Sequence, residues 1–164
     1  MKIIIRKALP DDAYDYTECF ISCFQSAYKR IVPDEYLNNM LIEKEQLFEK
    51  HKRALADPGD CEYYCVMYSE KITGFLVINK KHTEKIWAIY LLEDFRSKGL
   101  GKEVLNFAVN ELKSVENEEI ALWVFEENIR ARKFYEKNNF SFDGKKREMN
   151  YGKPLVQLRY VLNQ

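Results

Sequence analysis

The sequence contains no long apolar segment. A bilayer span needs roughly 20 apolar residues and a secretory signal about 7–15, whereas the start of this chain offers only residues 3–5 before it turns acidic. We therefore expect a cytoplasmic protein without a membrane partner. An excess of charge of one sign is also lacking, since 26 Lys and Arg balance 26 Asp and Glu. Because general nucleic-acid binders present a basic surface, we expect no nucleic acid as a partner.

Histidine is scarce, and the four cysteines lack the spacing of most structural zinc sites. The chain has two His, and three residues instead of two separate Cys19 from Cys23 and Cys61 from Cys65. Cys19 and Cys23 also stand at positions i and i+4 of a helical pattern, which favours two thiols in a core. The sequence therefore predicts reduced cysteines and no metal site.

Linkers, repeats and low-complexity segments are absent as well, so we expect one domain over residues 1–164. Apolar periodicity and turn residues predict the order β α α β β β α β α β β. The expected helix starts are Pro10, Asp34, Leu100 and Asn128. The third helix is expected to end at Val115. Hairpin strands followed by βαβ crossovers predict an α/β fold with a mixed central sheet of about seven strands flanked by about four helices.

Residues 91–102 carry the clearest chemical signal. A buried strand leads through a turn that contains Gly99 and Gly101 directly into an amphipathic helix. Glycines let a ligand approach the backbone closely, and the free N–H groups at a helix start attract phosphate. Lys98 and Lys102 can add positive charge. The stretch therefore predicts an anion site built mainly from backbone donors.

Two familiar phosphate-binding motifs do not match this stretch. A Walker A loop needs Gly where Arg96 stands and Ser or Thr where Glu103 stands. A dinucleotide fingerprint needs a third Gly at the position of Val104 and opens a domain instead of following four strands. Both motifs are therefore excluded.

Arg96-Ser-Lys-Gly99-Leu-Gly101 stands at the junction of the strand and the helix, directly after residues 89–91 and a short turn. These residues resemble the Gln/Arg-x-x-Gly-x-Gly/Ala signature and the acetyl-CoA strand of the GNAT N-acetyltransferase superfamily. Farther along, residues 128–140 resemble the family's Asn-x-x-Ala-x-x-Phe-Tyr…Gly-Phe segment, with Asn139 in place of the Gly. Asn tolerates the left-handed conformation that ends a helix, so this departure is mild. The element order agrees with the GNAT fold over residues 2–162.

The resemblance implies an enzyme that moves an acetyl group from acetyl-CoA to a primary amine by direct attack. It implies that Tyr135 protonates the departing thiolate. The acetyl-CoA-binding residues that it implies are Ile89, Tyr90, Leu91, Arg96, Ser97, Lys98, Gly99, Leu100, Gly101, Lys102, Asn128 and Tyr135. Tyr28, Asp34 and Glu35 lie where the family places its acceptor-binding loop, which implies contact with the amine substrate.

Three features of the function stay open at this point. The acceptor is either a small-molecule amine such as a polyamine or the N-terminus or a lysine of a protein. The general base is unassigned, because Lys85 and Trp123 stand where the family often has Glu, and Glu84 is one residue out of register. A missing base favours an alternative, a non-catalytic acyl-CoA-binding regulatory module.

We also expect a homodimer. Residues 155–162 form an apolar terminal strand that would otherwise leave an open sheet edge.

Overall fold

A computed structural model of the chain describes residues 2–113 and 118–164. Within these residues it contains seven strands and five helices, in the predicted order apart from one helix break. The elements are β1 (Ile4–Lys7), α1 (Ala13–Tyr28), α2 (Asp34–Ile42), α3 (Lys44–Ala56), β2 (Cys61–Tyr68), β3 (Lys71–Asn79), β4 (Ile86–Leu91), α4 (Leu100–Lys113), β5 (Ala121–Phe125), α5 (Ile129–Lys137), β6 (Phe140–Asn150) and β7 (Pro154–Leu162). The predicted α/β fold is confirmed. The predicted end of α4 at Val115 lies outside the described residues.

The second predicted helix is in fact two helices, α2 and α3. The chain bends at Glu43, where ψ is 15°. The bend lets each helix pack on a different apolar cluster: Leu37 and Met40 of α2 lie with Phe125, and Leu55 of α3 lies with Phe75. Apolar periodicity continues through the bend and does not reveal it, so the expectation of four helices is one too few.

The strands form two antiparallel sheets, ordered β1-β2-β3-β4 and β5-β7-β6. The sheets meet at the start of β4 and β5, where the Lys85 N–H donates to the Ala121 carbonyl at 3.0 Å. Both strands end beside Tyr28, whose ring centroid lies 5.0 Å from that of Phe125 and 6.1 Å from that of Tyr90. The two strands therefore run in the same direction and splay apart around the Tyr28 ring.

Helices cover both faces of the first sheet. Helix α4 buries its apolar stripe, including Val104 and Leu105, against residues such as Leu76 of β3. Helix α1 packs on the opposite face, where Cys23 lies with Phe75. Adjacent strand residues point to opposite faces, so β3 serves both layers. These two layers pack β3 and its neighbour β4 in place beside the gap that separates β4 from β5.

All four cysteines are free thiols in the structure, and three of them are buried. Residues 2–113 and 118–164 contain no group of three or more side chains of the types that bind metal ions. No helix in the same part of the chain is long and apolar enough to cross a bilayer.

Strand β7 is not the open edge that the sequence suggested. It lies between β5 and β6 and pairs antiparallel with both, so that expectation is wrong. The outer strands of this sheet are β5, which starts beside β4, and β6, which is exposed from residue 141 to 150 and shifts register between Phe142 and Lys146. Charges and register breaks discourage pairing with another chain at a sheet edge. The homodimer stays a prediction, without the physical reason first given for it.

Candidate active site

A cavity of about 880 Å³ opens where β4 and β5 separate. Its walls are these two strands, the end of α1, the start of α4 and one face of α5. It brings together the predicted cofactor-binding residues except Lys98 and Leu100, and it also includes Tyr28. Lys98 is exposed beside the cavity, while the Leu100 side chain is buried in the core.

Two predicted acceptor residues do not line the cavity. Asp34 and Glu35 are exposed in the first turn of α2. Of the three predicted acceptor residues, Tyr28 reaches the cavity. It is the last residue of α1, and the end of this helix lies where β4 and β5 separate. Any contact of Asp34 or Glu35 with a substrate would therefore involve a substrate that extends outside the cavity.

The loop before α4 presents a row of free backbone donors. Ser97 and Gly99 adopt left-handed conformations, with φ of 60° and 80°, and the Gly99 carbonyl accepts from the N–H groups of Lys102 and Glu103. The N–H groups of residues 97–101 donate to no acceptor within residues 2–113 and 118–164. Successive free N–H groups at a helix start form a concave anion site. The predicted backbone donors are thus present and unpaired.

The Arg96 side chain points away from this loop. Its Nε donates to the Leu91 carbonyl at 2.9 Å, and a terminal nitrogen donates to Ser26 Oγ at 2.5 Å. Burial lowers the pKa of the guanidinium. Arg96 therefore braces the end of β4 against α1, and what it offers a ligand is its backbone.

Positive charge comes instead from α5. Arg130, Lys133 and Lys137 line the cavity, and Arg130 donates to Ser97 Oγ at 3.0 Å across the cavity mouth. The sequence reasoning missed these three residues. Their spacing of three and four positions puts them on one helix face, and that signal could have identified them.

Three tyrosine hydroxyl groups belong to the same cavity. Asn128 caps α5 by accepting from the Ala131 N–H at 3.1 Å, which fixes the helix that carries Tyr135. The Tyr135 hydroxyl has no hydrogen-bond partner in the described chain, and burial raises its pKa to about 12. Tyr28 and Tyr90 share a hydrogen bond between their hydroxyl groups, and burial raises the pKa of both. All three are protonated donors at neutral pH.

Comparison with known proteins identifies the family. The family model described as Acetyltransferase (GNAT) family matches residues 16–140. The chain belongs to this family. A spermine/spermidine N(1)-acetyltransferase of Bacillus subtilis is 27% identical, with an alignment that covers 63% of this chain and 78% of that protein. Membership of the GNAT family confirms the expected acyltransferase.

Solved GNAT structures share the fold. The PaiA N-acetyltransferase of Thermoplasma acidophilum, in complex with coenzyme A, has a TM-score of 0.74 at 22% identity, covering 96% of this chain and 98% of its own. A GCN5-related N-acetyltransferase of Rhodopseudomonas palustris has a TM-score of 0.80 at 13% identity, covering 100% and 97%. The GNAT-like fold predicted from the sequence is therefore confirmed.

This GNAT chain places no carboxylate or histidine in the described lining of the cavity. Glu84 accepts from Arg159 Nε at 3.1 Å, and Lys85 is buried with its ammonium on the Lys80 carbonyl at 2.7 Å. Neither side chain is free to take a proton from a substrate. The cavity can bind an anionic ligand and donate hydrogen bonds, and its described lining offers no carboxylate or histidine that could accept a proton.

Proposed function

We propose that the chain binds acetyl-CoA in the cavity between β4 and β5 and transfers the acetyl group to a primary amine. The row of free N–H groups at residues 97–101 carries this proposal, because the pyrophosphate of the coenzyme needs such donors. Arg130 and Lys102 add cationic side chains at the same end. The complex of the Thermoplasma relative with coenzyme A supports this choice of ligand.

The open edge of β4 would hold the amide-containing arm of the coenzyme. One edge of β4 pairs with β3, while beyond Lys85 the other edge diverges from β5. An extended ligand with amide groups can pair with such an edge as an added strand does. Ile89, Tyr90 and Leu91 supply backbone groups there, and they would orient the thioester toward the hydroxyl groups at the ends of the strands.

The reaction would be a direct displacement. A neutral amine attacks the thioester carbonyl, a tetrahedral intermediate forms, and the carbon–sulfur bond breaks to release coenzyme A as the thiolate. Tyr135 would donate to the sulfur as it gains charge. None of the described residues that line the cavity is a cysteine, so a covalent enzyme intermediate would lack a thiol nucleophile there. The proton of the amine would pass to solvent water, because the described lining offers no carboxylate.

The acceptor would be a small-molecule amine or an amine at the end or on a lysine of a protein. Polyamines are the first small molecules to test, since the Bacillus relative is named for spermine and spermidine. Tyr28 would contact the acceptor inside the cavity. Asp34 and Glu35 would contact it only where it extends beyond the cavity.

The missing carboxylate also favours a second candidate, a non-catalytic module that binds acyl-CoA. One experiment separates the two: release of free thiol from acetyl-CoA is measured across a panel of amines and peptides, with mass spectrometry of the products. Acetylated amine formed faster than without enzyme supports the transferase. Tight acetyl-CoA binding without any acetylated product would contradict it and favour the module.

A further inference from the structure

Three side chains with free hydrogen-bond donors meet at the strand end of the cavity. We call Trp123, Arg147 and Gln157 the donor patch. Trp123 and Gln157 line the cavity. In the sheet, Gln157 pairs with Phe125 on one side and with Arg147 on the other. Paired residues on neighbouring strands, and residues two apart on one strand, point to the same face of a sheet. Trp123 is two residues from Phe125, so the three side chains of the donor patch share one face, which is opposite to the face that packs on α4.

The contacts within the donor patch leave its donors unused. The Gln157 Oε1 accepts from Arg147 Nε at 2.7 Å, so the amide NH₂ of Gln157 remains as a donor. The Arg147 guanidinium lies 4.4 Å from the centroid of the Trp123 ring, and its terminal nitrogens have no partner in the described chain. Trp123 Nε1 is buried, and residues 2–113 and 118–164 provide no acceptor for it.

We infer that the acceptor amine also carries a carboxylate, which binds the donor patch. This inference rests on the proposed transfer to an amine. A buried donor without an acceptor is rare in folded proteins, and a planar guanidinium with free terminal nitrogens fits a carboxylate with two parallel hydrogen bonds. The donor patch therefore recognises amino carboxylates, a different class from the polyamines for which the Bacillus relative is named.

The charges around the donor patch favour an anion over a second ammonium group. The described cavity lining contains no carboxylate. Glu84 is close enough to act on Arg147 electrostatically, but its Oε1 is held by Arg159 and its Oε2 lies 3.3 Å from His82 Nδ1. The far end of a diamine would thus meet the Arg147 cation and no free anion, whereas a carboxylate would meet free donors.

Binding is tested with the indole N–H signals of the two tryptophans in an NMR titration. Trp87 Nε1 donates to the Glu84 carbonyl at 2.8 Å and serves as the internal reference, while Trp123 Nε1 has no partner. Coenzyme A-loaded protein is titrated with butanoate and, separately, with butylamine, and Trp87→Phe assigns the two signals. We expect a saturable shift of the Trp123 signal with butanoate alone, lost in Arg147→Gln.

Lys146→Gln is the matched control. Lys146 precedes Arg147 on the same strand, faces the opposite side of the sheet and pairs with Glu126 at 2.8 Å. This variant removes the same charge without touching the donor patch, so the butanoate shift should persist. A Trp123 signal that does not respond to about 50 mM butanoate, or that responds equally in Arg147→Gln, overturns the inference, because a specific carboxylate site needs the guanidinium fork.

Specificity is tested with amines of matched chain length. β-Alanine, 4-aminobutanoate and 6-aminohexanoate are each compared with the monoamine and the diamine of the same carbon number. For at least one length we expect kcat/KM for the amino carboxylate to exceed that for the monoamine by about tenfold or more, the usual effect of a hydrogen bond to a charged group. Gln157→Glu, which places a carboxylate beside Arg147, should reduce this preference by a similar factor.

The outcomes separate this inference from the proposed function. Diamines preferred at every length would overturn the inference and leave the acetyltransfer intact. A butanoate shift without acetylation of any amine would support the carboxylate site and contradict the transferase. Loss of the shift and of the preference together in Arg147→Gln, with both retained in Lys146→Gln, supports the inference.

Discussion

Replacing Tyr135 with Phe should lower kcat by about 10²-fold and leave acetyl-CoA affinity nearly unchanged. Burial raises the pKa of the Tyr135 hydroxyl to about 12, while a thiol has a pKa of about 8.5. Complete proton transfer to the leaving thiolate is therefore uphill by about 5 kcal/mol. The hydroxyl would act mainly as a hydrogen-bond donor to the developing negative charge. Such a bond contributes about 1.5–3 kcal/mol, or roughly 10–150-fold in rate.

The ring contacts of Tyr135 do not depend on the hydroxyl. Its centroid lies 5.2 Å from that of Phe134 and 5.9 Å from that of Phe140, and Phe preserves both contacts. Single-turnover measurement of acetyl transfer isolates the chemical step, and calorimetry measures coenzyme binding. Tyr16→Phe is the control, because Tyr16 is a buried tyrosine that packs on Phe75 in the cluster below α1. That variant should retain the wild-type rate.

The pH dependence provides a second check on Tyr135. With its pKa at about 12, the hydroxyl is protonated throughout the pH range of 6 to 9, so the ratio of wild-type to variant rates should be constant over that range. A variant that turns over normally would refute the donor role, and the departing thiolate would then take its proton from water. Loss of coenzyme binding instead would make the hydroxyl structural.

Three further predictions concern the loop before α4, the buried side chain of His51 and the bonds by which Arg96 joins β4 to α1. A side chain at Gly101 would have its Cβ 3.3 Å from the Phe134 ring, so Gly101→Val should abolish coenzyme A binding in calorimetry. Lys98→Ala removes one exposed cation and should weaken the coenzyme A affinity by about fivefold or less. Burial lowers the pKa of His51 to about 4, whereas in the unfolded chain this pKa is about 6.5. Because the unfolded state therefore binds a proton first as the pH falls, the free energy of unfolding should drop by up to about 3 kcal/mol between pH 6.5 and pH 4. Urea titrations should show this loss, and a loss of the same size in His51→Asn would contradict its attribution to His51. Arg96→Gln removes the bonds from the guanidinium to β4 and α1 and should lower the free energy of unfolding by about 2 kcal/mol, and an unchanged urea midpoint would show that the brace adds no stability.

The sequence predicted what depends on local pattern. Strand alternation, turn residues and helix periodicity were enough for the order of elements, and the glycines at residues 99 and 101 were enough to locate the loop whose backbone N–H groups are unpaired. These features arise from neighbouring residues along the chain, so they can be read without the fold. The end of α2 at Ile42 was not predictable, because the apolar spacing continues into α3 and only packing on two separate clusters requires the bend.

The features that the sequence did not reveal depend on partners distant in the chain. The central position of β7 follows from pairing with both β5 and β6, and the direction of the Arg96 side chain depends on Ser26, which lies 70 residues away. The donor patch combines residues from three strands. The contact between Trp123 and Arg147 depends on the register of the three strands, which local sequence does not reveal.

The separation of β4 and β5 is built into the fold and does not need a ligand to create it. Two adjacent strands that run in the same direction would normally form a ladder, yet the bond between Lys85 and Ala121 at their start is followed by divergence. Tyr28 lies between their ends, where its ring packs on Phe125 and its hydroxyl bonds to Tyr90. Arg96 holds the end of β4 to α1. Because packing and hydrogen bonds on both sides maintain the gap, the unpaired strand edge stays available to an extended ligand, and binding need not break an existing ladder.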